Sequence, residues 1–509
     1  PWKDVDVDAV FTGPDGQIIR RPAFWNGDSV WRLRFAPTAP GLWRWKTVST
    51  NELDQGLHNK SGEIVCVPYE GSNPNYRRGF LRIGDDRRLF TYADGETFFW
   101  LGDTHWMMPD TERIADCNHP DHFGKPCPSG GQFQHLASSR SALGFTVYQT
   151  YPNAVDPHWW SSTAVGDVGG LFEQIDPERF KSVFDYEMDY LADIGFVIAL
   201  GFGHFNNSTR IPDRVLRRWA RYLVARYGAH PVVWITCQEM NAPETIGNNI
   251  SAWKSVAEEI ALTDGYQYPH TAHQWVLEPS ERPLWQESWH HWFALQGGHL
   301  NSGLTPQARY AAYRAIEPAR PVLETEAMYE YVDCGGVADT NLARQSAWKA
   351  MLSGCAGYTF GGVGIWALKW DKNDTRWKDY NHETEAWFTG MNQPGANQMS
   401  IMKRILTGIE WQRLIPRYNN PVWAEWTDVE RSVLMTDGNL IYIAYFYGET
   451  SLGTLRGLDT EARYSAVWIN PRTEEVKSIS TEITAANGEW SVPEKSEGDW
   501  LLIVRRIVP

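Results

Sequence analysis

From about residue 80 to 410, short apolar runs alternate with longer amphipathic stretches, and this alternation narrows the possible folds more than any other feature of the chain. Strand-like runs separated by helical segments argue for a parallel sheet with crossover helices. Eight candidate strands can be laid out: TFFWLGDT from Thr97, FTVYQTY from Phe145, FVIALGF from Phe196, VVWITCQE from Val232, HTAHQW from His270, LWQESW from Leu284, PVLETEA from Pro321 and YTFGGVGIWAL from Tyr358. Between them, FKSVFDYEMDYLADIG, RVLRRWARYLVARYG and ISAWKSVAEEIALTDG read as amphipathic helices, each closed by a glycine at the C-cap. Eight strands over this length predict a (β/α)8 TIM barrel with insertions, the longest after the first strand, about 106–139.

The flanks read differently. Residues 1–68 hold short strands, with alternation in VWRLRF and LWRWKTV, and turns at PDG, NGD and APG. This predicts an N-terminal β-sandwich, followed by a linker over 69–79 and the barrel over 80–415. After the helix NQMSIMKRILTGI, residues 416–509 turn strand-like again, and VLMTDGNLIYIAYFY predicts a hairpin around its Asp-Gly turn. The fold class expected is α/β: a (β/α)8 barrel between two β-sandwiches.

Composition removes several function classes. The net charge is −15, and no Lys/Arg cluster is present to neutralise phosphates, so nucleic acid is not an expected partner. No apolar run reaches the roughly 20 residues of a membrane span. Pro1 falls inside a readable motif and no signal peptide is visible, so the start is expected to be processed or trimmed. Tryptophan is abundant, 27 residues, many beside polar side chains; indole faces suit sugar rings, although core packing accounts for most of them. Six cysteines show no zinc-ribbon spacing. Cys117 and Cys127 bracket a short loop with His119 and His122. In an exported protein a disulfide between them is expected; a metal site made with the two histidines and two free thiols are the alternatives.

Barrel enzymes carry their chemistry at the C-terminal ends of the strands. Those ends bear Asp103 and His105, Gln149, His204, Glu239 and Asn241, His273, Glu287, Glu324 and Glu326, and Trp366. Two carboxylates across such a mouth are what glycoside hydrolysis needs: one protonates the departing oxygen, the other attacks or stabilises the anomeric carbon. Glu239 ends the fourth strand. Glu324 and Glu326 lie two apart on the seventh, and so share a face. Acidic residues at strand ends also serve as caps and ion-pair partners, and position alone does not separate these roles.

Six segments resemble the apiosidase-like glycoside hydrolases, a clan A-type barrel family: FFWLGDTHW at 98–106, LGFTVYQTYPN at 143–153, HPVVWITCQEMN at 230–241, FALQGGH at 293–299, RPVLETEAMYE at 320–330 and GYTFGGVGIW at 357–366. GPDG followed by WRLRFAPTAPGLWRW is similar to the N-terminal module of that family. The C-terminal segment is similar to its sandwich, sometimes named for collagen binding. The resemblance implies Glu239 as general acid/base and Glu326 as nucleophile. It places Glu324 beside the nucleophile and makes Glu330 structural. It implies a sugar pocket lined by Asp103, Gln149, Gln296 and His299. Where the family often has Gly-Gly-Asp, this chain has Cys237, Gln238 and Glu239, which changes the reach of the acid.

The expected activity is therefore retaining hydrolysis, exo-acting on a furanosidic or branched plant or bacterial glycan, by a secreted or periplasmic enzyme. The substrate-binding set is Asp103, His105, Gln149, His204, Asn241, His273, Gln296, His299, Glu324 and Trp366. No metal or organic cofactor is expected, and the partner is an oligo- or polysaccharide. An endo-acting glycanase and a non-catalytic carbohydrate-binding barrel are the alternatives; a matrix-adhesion protein rests on the collagen label alone. Glu239 is expected to be protonated, desolvated by Trp234 earlier on its strand. Glu326 is expected to be ionised, helped by Asn241 or Gln296.

Overall fold

The computed structural model describes residues 2, 4–107, 131–152, 160–161, 174–242, 250–275, 284–297, 304–333, 337–371, 385–448 and 452–508. Eight parallel strands form one sheet: β1 (Trp100–Thr104), β2 (Val147–Thr150), β3 (Val197–Gly201), β4 (Val232–Ile235), β5 (His270–Thr271), β6 (Phe293–Leu295), β7 (Val322–Glu324) and β8 (Gly357–Phe360). The order runs from β5 through β4, β3, β2, β1, β8 and β7 to β6. A bridge between His273 and Ala294 joins the two ends, and His291 N donates to His270 O at 2.8 Å, which closes the barrel.

The strands are buried on both faces, as parallel strands wrapped by helices must be. Val147, Val197, Val233, Trp292 and Leu323 fill the interior around Trp100. Trp100 explains a glycine opposite it: a Cβ on Gly357 would lie 2.4 Å from the Cβ of Trp100. The segment from Thr97 is not one strand. Thr97–Phe98 pairs with Phe90–Thr91, and that with Arg82–Ile83, as a small antiparallel sheet whose Phe90 and Phe98 plug the N-terminal end of the barrel.

The sixth strand is also corrected. LWQESW forms turns, with Trp285 and Trp289 packed in the outer core, and the strand is the three-residue Phe293–Leu295. A short apolar run carries too little period to be told from buried loop. Glu287 accordingly lies away from any strand end and pairs with Lys254 at 2.5 Å.

The predicted helices form over Asp185–Asp193, preceded by Pro177–Arg179 and a wider turn at Phe180–Phe184, and over Asp213–Tyr227 and Ile250–Thr263. Gly195 takes the left-handed conformation that a C-cap glycine supplies, with φ +96°. Gly228 does not, with φ −69°. Gly228 and Gly265 are small because the N-terminal sheet lies on them: an added Cβ would meet the Arg21 guanidinium at 2.6 Å and the Arg20 carbonyl at 2.0 Å.

That N-terminal sheet is antiparallel, in the spatial order Ile18–Pro22, Val7–Thr12, Gly41–Ser49, Ser61–Cys66, with a ribbon of Phe24–Trp25 and Trp31–Arg32. Of VWRLRF, the strand covers Trp31–Arg32. Phe35 beyond it stacks on Phe11, and Arg34 reaches the barrel at Arg226 O, 2.6 Å away. The segment 69–79 holds a short helix, Pro74–Arg78, and is tied to the barrel. Buried Asn73 donates to Ala192 O at 2.7 Å, and buried Asn75 to Gly195 O and Phe196 O at 3.0 Å.

The C-terminal region stacks a six-stranded antiparallel sheet on a three-stranded one, with the predicted hairpin present as Ser432–Thr436 and Ile441–Phe446. Every residue of Ile441–Phe446 is buried. Tyr442, Ala444 and Phe446 face the smaller sheet, whereas Ile443 and Tyr445 join the barrel-side core. Beside them, Asp499 takes a bidentate pair from Arg344 at 2.6 and 2.7 Å, fully buried. Among the described residues no helix is long and apolar enough to cross a membrane.

Candidate active site

Beyond the C-terminal ends of the strands, two carboxylates stand in different settings. Glu326 follows β7 by two residues and is 3% exposed. The Trp106 indole donates to its Oε2 at 3.2 Å, and His273 Nε2 lies 3.1 Å from the same oxygen. Trp106 and His273 meet edge to face at 5.5 Å, so each restrains the other.

Glu239 follows β4 by four residues and is 8% exposed. Gln296 donates to its Oε1 at 2.8 Å, and His204 Nε2 lies 3.4 Å from Oε2. His204 has 24% of its side chain exposed, more than Glu239 or Glu326, so the Glu239 side of the pair opens to solvent. The backbone at Glu239 is left-handed, φ +54°, a conformation that side-chain-bearing residues adopt at a cost of about 1–2 kcal/mol. Such backbone outliers gather at functional sites.

Two expected partners differ. Gln296 serves Glu239 and not Glu326, while Asn241 accepts from Trp275 N at 2.9 Å. Trp234 turns to the helix layer, packing on Phe202 and Tyr268 and donating to Asp264 at 2.8 Å. Neighbouring side chains on a strand point to opposite faces, and Val233 and Ile235 take the interior.

Glu324 sits beneath the mouth, fully buried. It accepts from Gly297 N at 2.6 Å, Tyr310 Oη at 2.7 Å and Thr305 at 3.4 Å. Burial pushes its carboxyl up to about 7, against the pull of these donors. Since Gly297 follows Gln296, Glu324 anchors the backbone next to the residue that donates to Glu239.

Asp103, His105 and Gln149 are also fully buried. Arg140 donates to Asp103 at 2.5 Å and His105 Nε2 lies 3.3 Å away. Burial raises the Asp103 carboxyl, but Arg140 and His105 outweigh it and hold it below the usual range. Burial lowers His105, which stacks on Tyr148 at 4.0 Å. Gln149 donates to Thr325 O at 2.9 Å, and so holds the chain next to Glu326. These three support the mouth from beneath. Trp366, after β8, is half-buried against the interior core. Glu330 bonds Thr340 at 2.5 Å and Gly395 N at 3.0 Å inside the fold, as a structural residue would. His299 and the Cys117–Cys127 loop lie outside the described residues. Sequence reading missed Trp106 and Arg140 as partners. Trp106 stands in the first quoted motif; Arg140 carries no local signal. Among the described residues no group of three or more His, Cys, Asp or Glu could hold a metal.

Residues 84–413 match the family model of the apiosidase-like catalytic domain. The chain belongs to the apiosidase-like glycoside hydrolases. Residues 1–50 of this hydrolase match a domain of unknown function, DUF5060. Comparison with curated proteins finds no significant match. Among solved structures, a candidate glycoside hydrolase from Bacteroides vulgatus superposes with a TM-score of 0.73 at 16% identity, over 99% of this chain and 96% of that one. A family 5 glycoside hydrolase from Bacteroides vulgatus gives 0.65 at 17%, over 86% and 95%. A further glycoside hydrolase gives 0.65 at 18%, over 86% and 98%. At these identities the likeness speaks to the apiosidase-like enzyme's fold: a barrel with flanking antiparallel sheets.

Proposed function

We propose that the chain is a retaining glycosidase in which Glu239 is the general acid/base and Glu326 the nucleophile. The observation that carries this reading is the unequal holding of the two carboxylates. Glu326 has one oxygen fixed by the Trp106 indole and adjoined by His273, as suits a group that must attack one carbon along one line. Glu239 adjoins the more open His204 and is steadied by Gln296, as suits a group that passes protons to a leaving oxygen and from a water. In the first half-reaction Glu239 gives its proton to the glycosidic oxygen as Glu326 bonds to the anomeric carbon. In the second, Glu239 takes a proton from water, which attacks that carbon and releases Glu326.

The substrate proposed is a furanosidic or branched plant or bacterial glycan, cleaved from its end by a secreted or periplasmic enzyme. The test is a panel of aryl-glycosides and plant and bacterial polysaccharides, with products sized by mass. Single sugars released from chain ends support exo action; internal fragments replace it with endo action. On the best substrate, Glu239→Gln and Glu326→Gln should each lose about 10²–10⁴-fold in kcat. Either variant within a few-fold of wild type would refute the assignment. An inverted first anomer in an NMR time course would refute retention.

A further inference from the structure

We infer that a cavity at the N-terminal end of the barrel, opposite Glu239 and Glu326, binds a small organic anion: a sugar-sized ring bearing a carboxylate or phosphate. The cavity holds about 440 Å³ and lies between the antiparallel plug, the end of helix Ile250–Thr263 and the segments entering β5 and β6. That volume falls in the range of small-ligand pockets. Ile83, Ile260, Pro269 and Trp289 give it apolar walls, and Arg82 and Arg87 bring guanidinium groups.

Its single acidic lining residue, Asp264, is committed inside the fold. One oxygen accepts from Tyr266 N at 3.0 Å, the other from Tyr268 N and the Trp234 indole, both at 2.8 Å. Arg82 donates to Leu81 O at 3.1 Å and lies over the Tyr268 ring; Arg87 donates to Ala319 O at 2.9 Å. Neither makes an ion pair among the described residues. Arg320 adjoins this group, 7% exposed, and its Nε and Nη1 have no hydrogen-bond partner. Burial and the charge of Arg87 hold Arg320 below its ordinary value, and both arginines lower the lining His291 in addition to burial. Arg87 and Arg320 repel each other, Arg82 lines the same cavity, and no carboxylate pairs with any of the three among the described residues, which is unexpected in a chain of net charge −15. Of the three, Arg320 is out of water, and a buried guanidinium without a partner calls for an oxyanion nearby, while the half-buried Arg82 and exposed Arg87 present their forks at the cavity itself. A bound anion would supply that missing charge while its ring lies on the apolar wall.

The inference is independent of the catalytic roles proposed above. Galacturonate, glucose 6-phosphate, inorganic phosphate and glucose are titrated into the full chain at low salt, followed by calorimetry. The same titrations are run on Arg82→Gln/Arg87→Gln, whose side chains are half-buried and exposed and whose loss spares the core. Galacturonate or glucose 6-phosphate should bind the wild type, and the tighter of the two identifies the oxyanion. The double variant should bind at least about tenfold more weakly, with hydrolysis unchanged. The inference is overturned if no anion binds at millimolar concentration, if the double variant binds as well as wild type, or if glucose binds as tightly as galacturonate. Inorganic phosphate binding as tightly as the sugar compounds would overturn the part played by the apolar wall.

Discussion

Glu324→Gln should make the protein more stable at high pH and leave it nearly unchanged at low pH. In the folded chain the Glu324 carboxyl titrates at about 7, against an ordinary 4.5, because burial disfavours its charge. The folded value is raised, so this carboxyl contributes stability that is fully present below about 4.5 and lost as pH rises through about 7. Across that window the folded chain keeps a proton that the unfolded chain has released. At about 1.4 kcal/mol per pH unit, the loss is on the order of 3 kcal/mol. Glutamine mimics the protonated form: its oxygen can take Gly297 N while its amide donates to Tyr310, whose hydroxyl can turn to accept. For a unit the size of this barrel, about 3 kcal/mol corresponds to about 4 °C. Melting curves of wild type and variant are recorded from pH 4.5 to 8. The difference should be near zero at 4.5 and grow to a few degrees in favour of Gln at 8. A difference that is flat with pH, or that grows in favour of wild type, refutes the account. On activity, Glu324→Gln should cost far less than Glu239→Gln, because Glu324 holds the backbone at Gly297, next to Gln296.

Arg140→Met leaves the Asp103 carboxylate buried without its cation, held by His105 and the Thr104 amide, and should destabilise by about 3–5 kcal/mol in denaturant titration; Arg140→Met/Asp103→Asn should recover part of the loss. Asp499→Asn breaks the buried pair with Arg344, and limited proteolysis should then release residues 416–509 faster than in wild type. Gly265→Ala puts a methyl 2.0 Å from the Arg20 carbonyl and should lower the melting temperature, at a cost of about 1–3 kcal/mol.

The parts of the fold legible in the sequence are those whose pattern is local. VVWI and FVIAL announce strands because every side chain is apolar, and RVLRRWARYLVARY announces a helix by its period. FAL at β6 is too short to announce itself, and the tryptophans of LWQESW, which pack outside, imitate a strand. The positions of Glu239 and Glu326 at strand ends could be read from order along the chain. What holds them could not: Trp106 is 220 residues from Glu326, and Gln296 is 57 from Glu239. Such pairings are made by barrel closure, which brings β1 beside β8 and then β7, and no local pattern encodes them. The segment 69–79 misleads for a related reason. Its Gly, Asn and Pro read as a free linker, but Asn73 and Asn75 are spent on barrel carbonyls.

The left-handed backbone at Glu239 shows how the barrel steadies a strained position. Gln238 N donates to Gly203 O on the β3 side, and Met240 N donates to His273 O on the β5 side. The residues before and after Glu239 are thus pinned to different neighbours, and Ala242 N closes a turn back onto Glu239 O at 2.9 Å. Pinned in this way, the chain between them must reverse at Glu239, and φ +54° is the conformation left to it. The strain is small beside the bonds that impose it, so the geometry persists without glycine. Glycine there would relieve the backbone but remove the carboxylate. Keeping Glu at the reversal places a long side chain where Gln296 and His204 both reach it, which a strand residue pointing straight into the packed interior would not allow.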